Sequence, residues 1–297
     1  MSGTATWVLR PGDPGYPSCI GDLGERPAPR FHGVGDVTAL TDLGHEASAT
    51  IVGSRRASSY GLRVAETLAR ELSLAGVTIV SGMALGIDAA AHRGVLAAGG
   101  RTVAVLAGGP DVVYPSSHGA LYERIVAEGA VVSEFAPGTA PQKRFFPARN
   151  RIMAALGRIA IIVEAAQPSG SLITADVAAK LGRAVGAVPG RIGARNAEGT
   201  NGLIKDGAHL IRHTQDVLDL LFGVGHPGHP AVRPRLEPPL DRVFDLVTAG
   251  VGSLDRLAQE AALEPQEIAV ALSRLELLGL LECDPVAGYA PTGINSI

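Results

Sequence analysis

From Ala49 to about Phe222, short apolar runs alternate with longer stretches whose apolar residues recur at helical spacing. Thr50-Ile51-Val52 is a strand-like run that stops at Gly53. Tyr60 to Ala75 comes next, with Leu62, Ala65, Leu68, Ala69 and Leu72 on one helical face. Further strands are predicted at Val77–Val80, Thr102–Leu106, Ala130–Ser133, Ile159–Val163 and Ala184–Val188. Helices are predicted at Ile87–Ala98, Gly119–Glu128, Arg149–Leu156 and Leu172–Leu181. Apolar strands alternating with helices imply a parallel sheet covered on both faces. Right-handed crossovers then make the expected fold α/β, a Rossmann-like, doubly wound, mostly parallel sheet.

The flanks read differently. Residues 1–48 carry turn residues and little periodicity, and are expected to be a short lead-in packed on the sheet domain. That domain is expected over 49–222. Residues 223–236, rich in Pro, Gly and His, read as an extended linker. Beyond it, over 237–297, three short helices are predicted at Pro239–Ala249, Ser253–Ala261 and Pro265–Leu278. Ser253 and Glu264 stand at capping positions. A hairpin turning at Ala287-Gly288 completes a small winged-helix-like domain.

Composition narrows the class. Hydrophobic residues make up 46% of the 297, which excludes disorder of the whole chain, and aromatics only 4%, which leaves an aliphatic core. Cys19 and Cys283 form no CxxC pair, which excludes a disulfide scaffold and a cysteine zinc site. Met1 to Pro17 lacks the pattern of a signal peptide, and no apolar run approaches the ~20 residues that span a bilayer. The expectation is a soluble cytoplasmic protein. The net charge of −3 argues at first against a nucleic-acid partner. It hides an asymmetry, however: residues 50–215 carry +7, residues 1–49 carry −3 and residues 216–297 carry −7.

The chemistry lies at the predicted strand ends. Gly53-Ser54-Arg55 succeeds the first strand, where a Gly admits a phosphate, Ser donates to it and Arg offers a bidentate fork. Ser81-Gly82 to Gly86-Ile87-Asp88 joins the next strand to a helix N-terminus, a natural anion nest, and His92 one turn on is expected to bond Asp88. Gly108-Gly109 marks a third strand end. The segment Lys143-Arg144-Phe145-Phe146-Pro147-Ala148-Arg149-Asn150-Arg151 sets four cations around two rings. Single-stranded nucleic acid needs such a mixture, with charge along the backbone and rings under the bases. Ser169-Gly170-Ser171 opens the helix after the fifth strand and suits an anion or an N-cap. Glu164 just before it is either a general base or a partner of Arg149 or Arg151.

Other signatures carry nothing. Gly223 to Gly228 matches GxGxxG but comes after a helix inside the linker, and there is no P-loop, GxSxG, HExxH or EF-hand. His226 and His229 lack acidic partners, so no metal, no cofactor and no catalytic residue is expected.

Taken in order, the GSR stretch, SGMALGIDAAAH, the Gly-rich run to Tyr114-Pro115, FFPARNRI, EAAQPSGSLITA, AVPG at 187–190 and GTNGLIKDGA at 199–208 resemble the DprA/Smf family of DNA-processing proteins. The resemblance covers nearly all of residues 50–215. It implies a non-enzymatic, homodimeric protein that binds single-stranded DNA and loads RecA recombinase onto it in natural transformation, with single-stranded DNA-binding protein as a further partner. It also implies Arg55 on a phosphate, Ser54 and Gly108–Gly109 along the backbone, and Lys143 with Phe145 or Phe146 for charge and stacking. Arg149 and Arg151 would line the same crevice.

Two other readings compete. In a Rossmann-like hydrolase releasing the base of a nucleoside monophosphate, Glu164 would be catalytic and Arg149 the phosphate anchor, but the PGGxGTxxE signature of that group is missing. In an adaptor, the last domain would do the work. Its −7 region predicts that it contacts protein rather than DNA.

Overall fold

The structure is a computed structural model that describes residues 6–24, 29–41, 43, 47–224, 236–251, 253–278, 280–284 and 288–291. The chain divides into two compact units, residues 1–231 and 232–297.

The first unit is built on one nine-stranded sheet. In chain order its elements are β1 (Thr6–Leu9), β2 (Phe31–Gly35), α1 (Thr38–Thr41), β3 (Ser48–Val52), α2 (Ser59–Leu74), β4 (Thr78–Ser81), α3 (Ile87–Ala97), β5 (Thr102–Val105), α4 (Gly119–Glu128), β6 (Ala130–Ser133), α5 (Phe145–Leu156), β7 (Ile159–Ile162), α6 (Gly170–Lys180), β8 (Ala184–Ala187), α7 (Glu198–Lys205), β9 (His209–Leu210) and α8 (Thr214–Phe222). The strand order is β1-β2-β6-β5-β4-β3-β7-β8-β9. From β6 to β9 every pairing is parallel. Because β3 lies between β4 and β7, the chain leaves it in one direction and later returns on its other side. The crevice beyond that switch point is where such sheets bind ligands.

Alternation along the strands fills both faces. In β3, Ala49 and Ile51 pack with Leu68, Leu72 and Val95 of α2 and α3, while Val52 packs on the opposite side with Ile152 and Leu156 of α5. The polar members of this buried strand are bonded: Ser48 donates to the carbonyl of Leu156 at 2.9 Å and Thr50 to that of Met153 at 2.6 Å. Gly94 lets α2 and α3 close up, since a Cβ there would stand 2.2 Å from the carbonyl oxygen of Glu66.

The N-terminal lead-in does more than pack on the sheet. It supplies β1 and β2, which extend the sheet antiparallel from β6. Trp7 lies over Gly33, where a Cβ would meet the indole at 2.2 Å, and its Nε1 donates to Gly35 O at 2.9 Å. In β2, FHGVG, His32 and two glycines break the apolar run that marks β3 to β8, and β1 stands among turn residues.

The second unit has α9 (Pro238–Thr248), α10 (Leu254–Ala261), α11 (Pro265–Leu277) and the hairpin β10 (Leu281–Asp284) and β11 (Gly288–Pro291). Val243, Leu257, Ile268, Leu272 and Leu275 form its core. Glu264 caps α11 in a reciprocal box with Glu267, as its position suggested, whereas the side chain of Ser253 makes no capping bond. Most of the linker, with His226 and His229, and the hairpin position Ala287 lie outside the described residues.

Candidate nucleic-acid interface

The strand ends converge as the sequence suggested, and the phase of α5 decides which side chains face the crevice. The helix begins at Phe145, four residues before the expected start, with Pro147 in its first turn, where no backbone N–H is needed. Phe146, Arg149, Asn150 and Met153 then share one face and line a crevice of 480 Å³ with Gly53, Ser54, Arg55, Ser169, Gly170 and Ser171. Phe145 is turned aside and stacks on Phe135 at 4.1 Å, with the Arg144 guanidinium 5.2 Å away. Phe146 instead meets Arg55 at 4.7 Å, Arg149 at 5.9 Å and the Tyr114 ring at 5.8 Å. Of the two rings, Phe146 is the one that lines the crevice.

The three arginines of this region have different fates. Arg55 is exposed. Arg149 is only 4% exposed and donates to the carbonyl of Val105 at 2.9 Å. It runs beside Gly82, where a Cβ would stand 1.5 Å from its Nη1 and 2.7 Å from the Asp88 carboxylate. Burial works against both charges, raising the Asp88 carboxyl and lowering the Arg149 guanidinium, and each opposes that shift in the other. The backbone of Ala84 and Gly82 also favours the charged carboxylate. Asp88 and Arg149 thus form a buried brace beneath the crevice rather than a free anion site. Arg151 is bound to Glu134 at 2.7 Å and takes no part in the lining.

The other expected residues divide between structural positions and the margin of the crevice. Ser81 is fully buried and donates to Ile51 O at 2.6 Å. Gly109 is enclosed by the 136–139 loop, and its N–H goes to Thr139 O at 2.8 Å. Gly86 has φ 79° and brings Ile87 N within 3.2 Å of Ser54 O, which ties the β3 and β4 ends together. Gly108 lines a small recess beside the crevice with Arg55, Tyr114 and Phe146. Lys143 and Arg144 are exposed at the start of α5.

His92 does not bond Asp88. Its Nδ1 meets Thr102 Oγ1 at 2.8 Å, and that hydroxyl already gives its proton to Ile79 O, so Nδ1 is the donor. Burial pushes its pKa down to about 3. Glu164 pairs with neither arginine. It accepts from the N–H and hydroxyl of Ser58 and from Asn196 Nδ2, and so pins the start of α2. Both carboxylate oxygens are thus engaged by the start of α2 and by Asn196. Among the described residues no group of His, Cys, Asp or Glu could hold a metal ion.

The sequence reading missed Thr174, Arg195 and Asn196 as crevice residues and Tyr114 in the adjoining recess. Arg191 to Asn196 contains two arginines and a Gly just after a strand, the same signal used at the other strand ends.

A crevice at the switch point, with an exposed guanidinium over a half-buried ring and a serine-capped helix beside it, offers charge for phosphate and a face for a base. The family model for DNA recombination-mediator protein A matches residues 7–222. The chain belongs to the DNA recombination-mediator protein A (DprA) family. A DprA winged helix domain model matches residues 227–285 and accounts for the second unit. A DNA processing protein DprA of Mycobacterium tuberculosis is 40% identical over 245 residues, which cover 80% of this chain and 62% of the relative. The chain thus spans about three fifths of that DprA's length. The DprA of Streptococcus pneumoniae is 45% identical over 168 residues, 57% of this chain and 59% of its own. The X-ray structure of that DprA superposes with a TM-score of 0.66 at 38% identity, covering 73% of this chain and 74% of its own. The DprA of Helicobacter pylori, whose structure was described for its single-stranded DNA binding mode, gives 0.65 at 30% identity, covering 74% and 96%.

Proposed function

We propose that this DprA-family chain binds single-stranded DNA in the crevice between the β3 and β7 ends, as a mediator of recombination and not as an enzyme. The observation that carries the reading is Phe146 facing the crevice beneath Arg55, whose guanidinium lies 4.7 Å from the ring centroid. Arg55 takes a phosphate, Phe146 a base, and the Ser169–Ser171 end of α6 a second phosphate oxygen set. Lys143 adds charge along the path. The Helicobacter pylori relative supports the ligand. Loading of RecA, homodimer formation, contact with single-stranded DNA-binding protein and a place in natural transformation in the cytoplasm rest on the family resemblance. No helix among the described residues is long and apolar enough to cross a membrane.

The test is a salt titration of single-stranded against duplex oligonucleotide binding, wild type beside Arg55→Ala. The log affinity should fall with log salt by about 0.7 per phosphate neutralised, and Arg55→Ala should weaken binding to every sequence while lowering that slope by about one such step. Absent or salt-independent binding overturns the reading.

A further inference from the structure

A second cavity opens beside the crevice, at the ends of β7 and β8. Its volume is 560 Å³, and it is lined by Tyr60, Arg191, Arg195, Asn196 and Thr200 above the Glu164 carboxylate. Of its named lining residues, Tyr60, Arg191 and Thr200 lie outside the crevice. Three observations connect the two. Arg195 and Asn196 line both spaces. The Asn196 amide is the wall between them, donating to the carbonyl of Arg56 at 3.0 Å and to Glu164 at 3.3 Å. The second cavity also repeats the chemistry of the first, with an aromatic ring beside cations. Tyr60 is 44% exposed, and its hydroxyl, 3.3 Å from Pro189 O, fixes the ring across the opening. Arg191 and Arg195 are exposed and, among the described residues, form no ion pair.

We infer that this cavity is a second nucleotide subsite, which takes the next unit of the strand held in the crevice, its base against Tyr60 and its backbone over Arg195 and Arg191. The inference rests on the DNA reading of the first crevice. Glu164 sets the polarity of the subsite: its carboxylate repels phosphate from the floor, so the backbone runs along the arginine rim and the base turns inward.

The experiment measures binding of the full chain to a ladder of oligo-dT lengths, for wild type, Tyr60→Ala, Tyr60→Phe, Arg191→Ala and Phe146→Ala. On long oligonucleotides Tyr60→Ala should lose about tenfold in affinity, within the range for one stacked base, and Tyr60→Phe should keep it. Arg191→Ala should lower the salt slope by about 0.7 on the same lengths. On the shortest oligonucleotide that wild type binds, these variants should match wild type, whereas Phe146→Ala should lose affinity at every length. Tyr60→Ala and Arg191→Ala matching wild type at all lengths overturns the second subsite and leaves the crevice reading standing. Equal loss at every length also overturns it, because Tyr60 would then act on the first crevice. Wild type that binds no length overturns the crevice reading and this one with it.

Discussion

The two units differ in how many cations they carry and where those cations lie. In the sheet unit, many arginines far from the strand ends are tied down, such as Arg124 to Glu128, Arg212 to Asp216 and Arg183 to Asp22. Arg55, Lys143, Arg191 and Arg195 at the strand ends form no ion pair among the described residues. The helical unit has three arginines against ten carboxylates over 236–297. Arg256 pairs with Glu260 at 3.0 Å, and Arg242 donates to the carbonyl of the same Glu260 at 3.0 Å. Helix α11 instead exposes Val270 and Leu277, the latter 89% accessible. A winged helix that reads DNA presents basic groups on such a helix. This one presents Val270 and Leu277 with acids and the single basic side chain of Arg274. Net charge alone would not separate the units by function. What separates them is where exposed cations gather: Arg55 and Arg195 line one crevice of the sheet unit together with Phe146.

The largest effect should come from the buried charge of the sheet unit. Asp88→Ala removes the counter-charge beside Arg149 and should cost about 3–5 kcal/mol of stability, read as a lowered denaturation midpoint. A loss below about 1 kcal/mol would show that Arg149 does not depend on Asp88 for its buried place.

Next come the paired rings. Phe146→Ala should weaken oligo-dT binding by about 1–3 kcal/mol, with little change in salt slope, and Phe145→Ala by much less. Equal losses would mean that the phase of α5 does not select the ring.

Acid distinguishes the units as well. His92 is buried with a pKa of about 3, against an ordinary value of 6.5, and residues 236–297 contain no histidine. The unfolded chain binds a proton that folded His92 refuses. Its contribution is therefore full above about pH 6.5 and is lost as pH falls toward 3, at up to about 1.4 kcal/mol per pH unit. His92→Gln should flatten that part of the stability–pH curve of the sheet unit, measured by denaturant titration at several pH values. An unchanged curve would remove His92 as the cause.

The smallest effect should come from deletion of everything after Gly223. Affinity for single-stranded oligonucleotide should stay within about twofold of the full chain, because no binding cation is lost. A large loss would put the acidic unit on DNA and collapse the contrast.

Much of the fold was legible because its signals are local. Periods of two and of 3.6 placed β3 to β8 and their helices within a few residues, and Gly and Ser clusters marked the strand ends. The lead-in was illegible because β2, FHGVG, lacks a continuous apolar run and owes its place to pairing with β6, about a hundred residues away. At the site, the mixture of Phe and cations was visible, but the choice of Phe146 was not. It depends on where α5 begins, and Pro147 reads as a break unless it falls in the first turn.

By itself, then, the sequence determined the parallel sheet, its aliphatic core, the helical second unit and the placing of Gly, Ser and Arg at the strand ends. Each arises from side-chain periodicity and backbone preference within a few residues. Only the tertiary structure decided which polar groups remain available. It gave Arg151 to Glu134 and Arg149 to a burial shared with Asp88. It gave Glu164 to Ser58, 106 residues before it, and left Arg55 and Arg195 exposed. A charge keeps its chemistry for a ligand only if the fold brings it no other partner, and those partners come from distant parts of the chain.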